Sequence, residues 1–162
     1  GFFKLYKGSN LNSINFLKNL GPEPLSNNFN VIYFQQFIKN KKKNIKSMLM
    51  DQKFVSGLGN IYVNEVLFLA KIHPLRVSSS MKKVEVSKLI YYIKFILKLS
   101  ILKGGSTIRD FKNSSGKSGN FQQLFRVYGK EGLNCSRISC NKKIKKISIS
   151  ARSSFYCDSC QK

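Results

Sequence analysis

The chain has 162 residues, 42% of them hydrophobic, with 29 Lys+Arg against 7 Asp+Glu for a formal charge of +22. With 13 Phe and 7 Tyr this supports one modest core and excludes a merely disordered basic tail. No run reaches the roughly 18 apolar residues of a membrane span, and so large a cationic excess calls for a polyanion, nucleic acid first and an anionic membrane surface second.

In chain order, residues 2–7 read as a strand ended by Gly8-Ser9-Asn10, in a sequence that opens on Gly1 rather than methionine. A lone strand cannot satisfy both edges, so it is expected to be the last strand of a sheet whose other strands precede it. Leu11 to Leu20 fits either a loop or a short helix, and Gly21-Pro22-Glu23-Pro24 breaks any regular element. Ser26 is the expected N-cap of a helix over 27–40, with Phe29, Tyr33, Phe37 and Ile38 on one face. Lys41-Lys42-Lys43 interrupts it, and a shorter helix follows with Ile45, Met48 and Leu49 on one side. The turn Gly57-Leu58-Gly59-Asn60 opens the next helix, traced by Ile61, Glu65, Val66, Leu69 and Ile72 and closed near His73-Pro74. The longest helix is predicted from about Met81 to Leu102, with Val86, Leu89, Ile90, Ile93, Leu97, Ser100 and Ile101 inward. A four-helix core results.

Beyond Gly104-Gly105 the character changes. Residues 112–120 form a Gly/Ser/Lys loop, and Phe121 to Tyr128 returns the chain toward Gly129 and Gly132. Two cysteine pairs follow, Cys135/Cys140 and Cys157/Cys160. The second has the C-x-x-C spacing that lets two thiolates grip one metal; the first is wider but within the range of structural zinc sites. Disulfides would need an oxidising compartment, and no stretch reads as a secretory leader, so one tetrahedral zinc is expected. Between the pairs, Ile144, Ile147, Ile149 and Phe155 suggest a β-hairpin studded with Lys142, Lys143, Lys145, Lys146 and Arg152.

An anion would meet two surfaces. The turn at Asn60 precedes a helix N-terminus, where free N–H groups and the helix dipole favour a phosphate, though such a turn also serves merely to join two helices. The basic zinc hairpin is the second, and such hairpins serve as nucleic-acid readers and as structural staples alike. His73 reads as a helix-end residue, and Glu65 as a carboxylate buried against a polar partner. No Ser/His/Asp set, phosphate-binding Gly-Lys loop or carboxylate pair is evident.

These strings, in this order, resemble the C-terminal part of bacterial formamidopyrimidine-DNA glycosylase, a base-excision enzyme for oxidised purines. The resemblance rests on Leu20-Gly21-Pro22-Glu23-Pro24-Leu25, on Ile45 to Gln52 followed by Val55 to Glu65, and on Ile72-His73-Pro74. It continues through Gly104 to Thr107 with Arg109-Asp110-Phe111, Gly116 to Gln122, Val127-Tyr128-Gly129 and Arg152 to Cys157 with Cys160-Gln161. It implies a mainly α fold: a helix–two-turn–helix domain, then a β-hairpin zinc finger, after the residual strand of an N-terminal β-rich domain. The expected division is 1–20 as the end of that domain, 21–111 helical, 112–126 a lesion-capping loop and linker, and 127–162 the zinc finger.

The resemblance further implies DNA contacts at Asn60, Gly59, Lys53, Arg109 and Arg152, and lesion capping by Lys117, Ser118 and Gly119. It implies one structural zinc on Cys135, Cys140, Cys157 and Cys160. The partner is damaged double-stranded DNA, the protein a cytoplasmic monomer acting as a glycosylase and AP lyase. An endonuclease-VIII-like enzyme for oxidised pyrimidines and a non-catalytic zinc-ribbon nucleic-acid binder are the alternatives. The long Gly/Ser loop and the Gly-Pro-Glu-Pro segment favour the purine branch. There are two departures: the first cysteine pair is wider than the family's usual two-residue gap, and the nucleophilic N-terminal proline has no counterpart among Pro22, Pro24 and Pro74. The chain is therefore expected to be a truncated form that binds DNA without cutting it.

Overall fold

A computed structural model describes residues 15–106 and 119–162. The expected strand at 2–7 and the residues Arg109, Lys117 and Ser118 lie outside them. The described elements are helices α1 (Asn15–Lys18), α2 (Val31–Ile38), α3 (Ile45–Leu49), α4 (Asn60–Ala70) and α5 (Lys83–Leu102), then strands β1 (Lys145–Ile149) and β2 (Arg152–Tyr156). Short 3-10 turns lie at Ser78–Ser80 and Phe121–Leu124. No helix among the described residues is long and apolar enough to cross a membrane.

Helices α2 to α5 enclose one core, built on Phe29, Phe34, Phe54, Leu58, Leu67 and Ile93 among others. Phe54 sits at its aromatic centre, edge-on to Phe34 at 4.9 Å and stacked on Tyr33 at 5.9 Å. Helix α2 begins later than Ser26 predicts. The Ser26 hydroxyl donates to the Glu23 carbonyl within a turn, and Asn30 caps the helix by accepting from the Tyr33 N–H at 3.0 Å. Its buried residues are Phe34 and Ile38 rather than Tyr33 and Phe37. Helix α4 closes at Ala70, with Lys71 in the left-handed conformation at its C-cap, so Ile72 packs from outside it. In α5, Ile96 takes the inward place expected of Leu97 and Ile101, because the helix outruns the core and Ile101 is 66% exposed.

Close approach explains two glycines. A Cβ on Gly21 would meet the backbone of Lys53 and Phe54, to which the Gly21 N–H is tied through the Gln52 carbonyl at 2.8 Å. A Cβ on Gly119 would overlap the carbonyl oxygens of Gly104 and Gly105. The Asn120 and Phe121 N–H groups donate to the Lys103 and Gly105 carbonyls alongside, so residues 103–105 and 119–121 are pinned together.

The hairpin pairs Ile149 with Arg152 across a two-residue turn, Ser150-Ala151, with φ of 50° and 57°. Two successive positive φ values are the geometry of the tight hairpin turns that match strand twist. A second core joins the hairpin to α4 through Phe68, Val127, Ile144, Phe155 and the cysteines.

Candidate nucleic-acid interface

Three of the attachments that fasten the zinc unit to the helical core bear on the site, beside a Ser47–Ser150 hydroxyl contact at 3.0 Å. The first is the Ser153 carbonyl, which accepts from the Asn60 side-chain amide at 3.1 Å and from the Lys46 ammonium at 2.9 Å. Lys46 also donates to the Ser154 hydroxyl at 2.5 Å. The second is Asn64, one turn along α4. Its amide donates to the Asn60 carbonyl at 2.7 Å, while its Oδ1 accepts the Phe155 N–H at 2.6 Å. The third is Arg137, whose guanidinium donates to the Phe68 carbonyl at the end of α4 and lies over the Phe68 ring at 4.7 Å.

Arg152 therefore stands next to a carbonyl that Asn60 and Lys46 both hold. Lys46 is 1% exposed although its helix is only five residues long, because α3 is buried on every side. Burial first, and the Arg152 charge second, lower its pKa to about 8. Lys43, Lys46, Ser47, Asp51 and Arg152 are among the residues lining one recess of about 340 Å³. Its one carboxylate, Asp51, is paired with Lys43 at 3.2 Å, which leaves Lys46 and Arg152 without an acid there.

The other expected contacts divide. Gly59 is the N-cap of α4 and brings no side chain to bond its first turn. The Gly57 N–H does not point outward; it donates to the Gln52 side chain at 2.7 Å and stabilises the turn. Lys53 is exposed, one residue beyond Gln52. Gly119 closes the base of the loop and lies apart from the hairpin in sequence and element order.

Glu65 is 1% exposed and its carboxylate accepts three backbone N–H groups, from Arg126, Val127 and Tyr128 at 2.9–3.0 Å. The expected polar partner is thus the backbone of residues 126–128, just ahead of the zinc unit. The resulting arc of donors takes the place of a cation for the buried charge.

The four cysteine sulfurs lie within 4.8 Å of one another, with Cys135 to Cys160 at 3.9 Å and Cys140 to Cys157 at 3.6 Å. Tetrahedral zinc with bonds of about 2.3 Å requires sulfurs about 3.8 Å apart. The set fits, including Cys135 across its wider gap: that gap carries Arg137 onto the end of α4. The cysteines form a structural zinc site. Burial and the neighbouring thiols push Cys160 up to about 12, whereas the Lys142 N–H and the Cys160 thiol hold Cys140 at about 7. Zinc must displace these protons to bind. Gln161 braces the site from behind, accepting the Cys157 N–H at 2.9 Å and donating to the Ile72 carbonyl at 2.8 Å.

Residues 20–112 match the model of the formamidopyrimidine-DNA glycosylase H2TH domain. The chain belongs to the formamidopyrimidine-DNA glycosylase family. It is 44% identical over its whole length to the Roseobacter denitrificans formamidopyrimidine-DNA glycosylase and 43% to that of Zymomonas mobilis. It spans 57% and 59% of those proteins. Among solved structures it is similar to the MutM (Fpg) protein of Thermus thermophilus, at 34% identity and a TM-score of 0.85 over 94% of this chain and 57% of that one. It is also similar to Lactococcus lactis Fpg in complex with DNA containing an abasic site, at 41% identity and a TM-score of 0.82 over 91% and 54%.

Within this chain, Lys46, Asn64, Glu65 and Arg137 are the side chains to which sequence reasoning gave no role at the site. Two left a local trace: Lys46 as a lone cation between Ile45 and Met48, and Glu65 as a carboxylate in an apolar helix, though its partner was not legible. The partners of Asn64, Glu65 and Arg137 lie 61 to 91 residues away.

Proposed function

We propose that the whole protein excises oxidised purines, 8-oxoguanine and formamidopyrimidines, as a DNA glycosylase and AP lyase, and that this chain grips and caps the DNA. It acts as a cytoplasmic monomer. The observation that carries the reading is the shared Ser153 carbonyl, which sets Asn60 and Lys46 beside Arg152. An Asn amide, a helix N-terminus and the exposed Arg152 on one surface, with the buried Lys46 fixing the strand behind them, suit successive phosphates of a bent backbone. Lys53 and Gly59, in the segment before α4, extend that surface, and Arg109 with Lys117, Ser118 and Gly119 closes over the lesion.

Extruding a damaged nucleotide costs a few kcal/mol of unstacking and unpairing. Phosphate contacts flanking the lesion offset part of that cost and say little about sequence. Sugar chemistry requires an amine at C1′, which forms a Schiff base and permits β-elimination. No residue of this chain is assigned that role. The cysteine-bound zinc is structural, and its contribution is the fixed position of Arg152.

Fluorescence anisotropy and borohydride trapping test the reading together. The chain should bind a duplex carrying a tetrahydrofuran abasic analogue at least tenfold more tightly than the undamaged duplex, and yield no trapped adduct. The whole protein should trap on 8-oxoguanine DNA. Equal affinity for both duplexes, together with no adduct from the whole protein, would leave a zinc-ribbon nucleic-acid binder.

A further inference from the structure

Helix α5 has a second face. Val86, Leu89, Ile93 and Ile96 bury one side against the core. On the opposite side Val84, Lys88, Tyr91, Phe95, Lys98 and Leu102 recur at alternate spacings of four and three residues. Three of these are strongly exposed, Val84 at 78%, Tyr91 at 62% and Leu102 at 81%. A solvent-facing helix surface is ordinarily polar, whereas four of these six positions are apolar, on the three-four spacing of a seam that a partner helix fits. The Tyr91 and Phe95 rings stand nearly parallel at 11°, 6.2 Å apart, with Tyr92 edge-on to Tyr91. With Lys94 and Lys98 they line a hollow of about 340 Å³.

We propose that this face docks an acidic amphipathic helix of a partner protein. The charges choose the occupant. Lys88 and Lys98 lie within the stripe and Lys94 flanks it. The one carboxylate of α5, Glu85, is already held by both guanidinium nitrogens of Arg76. The partner must therefore bring carboxylates opposite the lysines and apolar side chains opposite Tyr91 and Phe95. A second copy of this chain would set the same lysines and a charge of +22 against themselves. Duplex phosphates would answer the lysines but leave Val84, Tyr91, Phe95 and Leu102 without apolar cover. The face is turned away from α4 and so from the hairpin. The helix can therefore dock while Asn60 and Arg152 are occupied, and the proposal does not rest on the DNA reading.

The probe is a labelled designed helix of about 24 residues, enough for three heptads, with leucines at three-four spacing and flanking glutamates. Because so basic a chain attracts any anion, substitutions decide the matter rather than binding itself. The whole protein should bind the helix with a dissociation constant of about 10 µM or tighter. Tyr91→Ala with Phe95→Ala should weaken this at least tenfold, with duplex DNA binding and helical circular dichroism unchanged. Lys88→Glu with Lys98→Glu should abolish binding, and a helix bearing lysines in place of glutamates should restore it. Absence of binding, or affinity indifferent to these substitutions, overturns the proposal. So does a self-association in sedimentation that Tyr91→Ala and Phe95→Ala remove, or selective capture of a single-stranded oligonucleotide or anionic vesicles by this face in place of the helix.

Discussion

The side-chain amide of Asn60 donates to the carbonyl of Ser153 at 3.1 Å, across a separation of 93 residues. That bond ties the first turn of α4 to the strand that begins with Arg152, so the Asn60 turn and the basic hairpin, read apart in the sequence, adjoin. A single side chain-to-backbone bond contributes about 1 kcal/mol net. Asn60→Ala should lower stability by about that much in urea, while duplex affinity falls at least tenfold by anisotropy, because the hairpin loses its register on α4.

Lys46 should make DNA binding depend on pH. Its pKa of about 8 is below the ordinary lysine value of 10.5, so it loses its charge before other lysines do. Lys46 is 1% exposed and its ammonium holds the Ser153 carbonyl beside Arg152, so loss of that charge should weaken duplex affinity from pH 7 to pH 9, and Lys46→Met should flatten that profile. For stability the sign is opposite. The unfolded chain holds the extra proton between pH 8 and 10.5, so Lys46 contributes stability that rises with pH across that window.

Replacing Glu65 by Gln leaves an amide facing three N–H donors it cannot all satisfy. The expected loss is about 2–3 kcal/mol in denaturant titration. Hydrogen exchange at Arg126, Val127 and Tyr128 should accelerate before the rest of the core is affected. Unchanged protection there would show that the carboxylate does not hold this linker.

Zinc removal should separate the two cores. The cluster around Phe54 contains no cysteine, whereas the one around Phe68 contains Cys135 and Cys157. Chelation with verified metal loss should keep most of the helical circular dichroism and abolish duplex binding.

What the sequence disclosed follows from how local each signal is. The cysteine spacing and the period of α5 are written in short windows; the first is read correctly, and the second as far as Ile93, after which Ile96 is buried in place of Leu97 and Ile101. Ser26 and Asn30 are equally good caps by residue type; a turn that uses Ser26 on Glu23 decides between them. Ser150 and Ala151 carry a turn that favours Gly and Asn, so no residue there announces it. Lys46, Asn64, Glu65 and Arg137 act through partners far along the chain, which no periodicity encodes.

A double-mutant cycle on Asn60 and Arg152 tests the single phosphate-binding surface most directly. Duplex affinity is measured for the wild type, Asn60→Ala, Arg152→Ala and the double variant at fixed salt. The account predicts a coupling of at least about 1 kcal/mol, because loss of the Asn60 bond already displaces Arg152. Losses that add within about 0.5 kcal/mol would mean that the two groups meet DNA independently, and would contradict it.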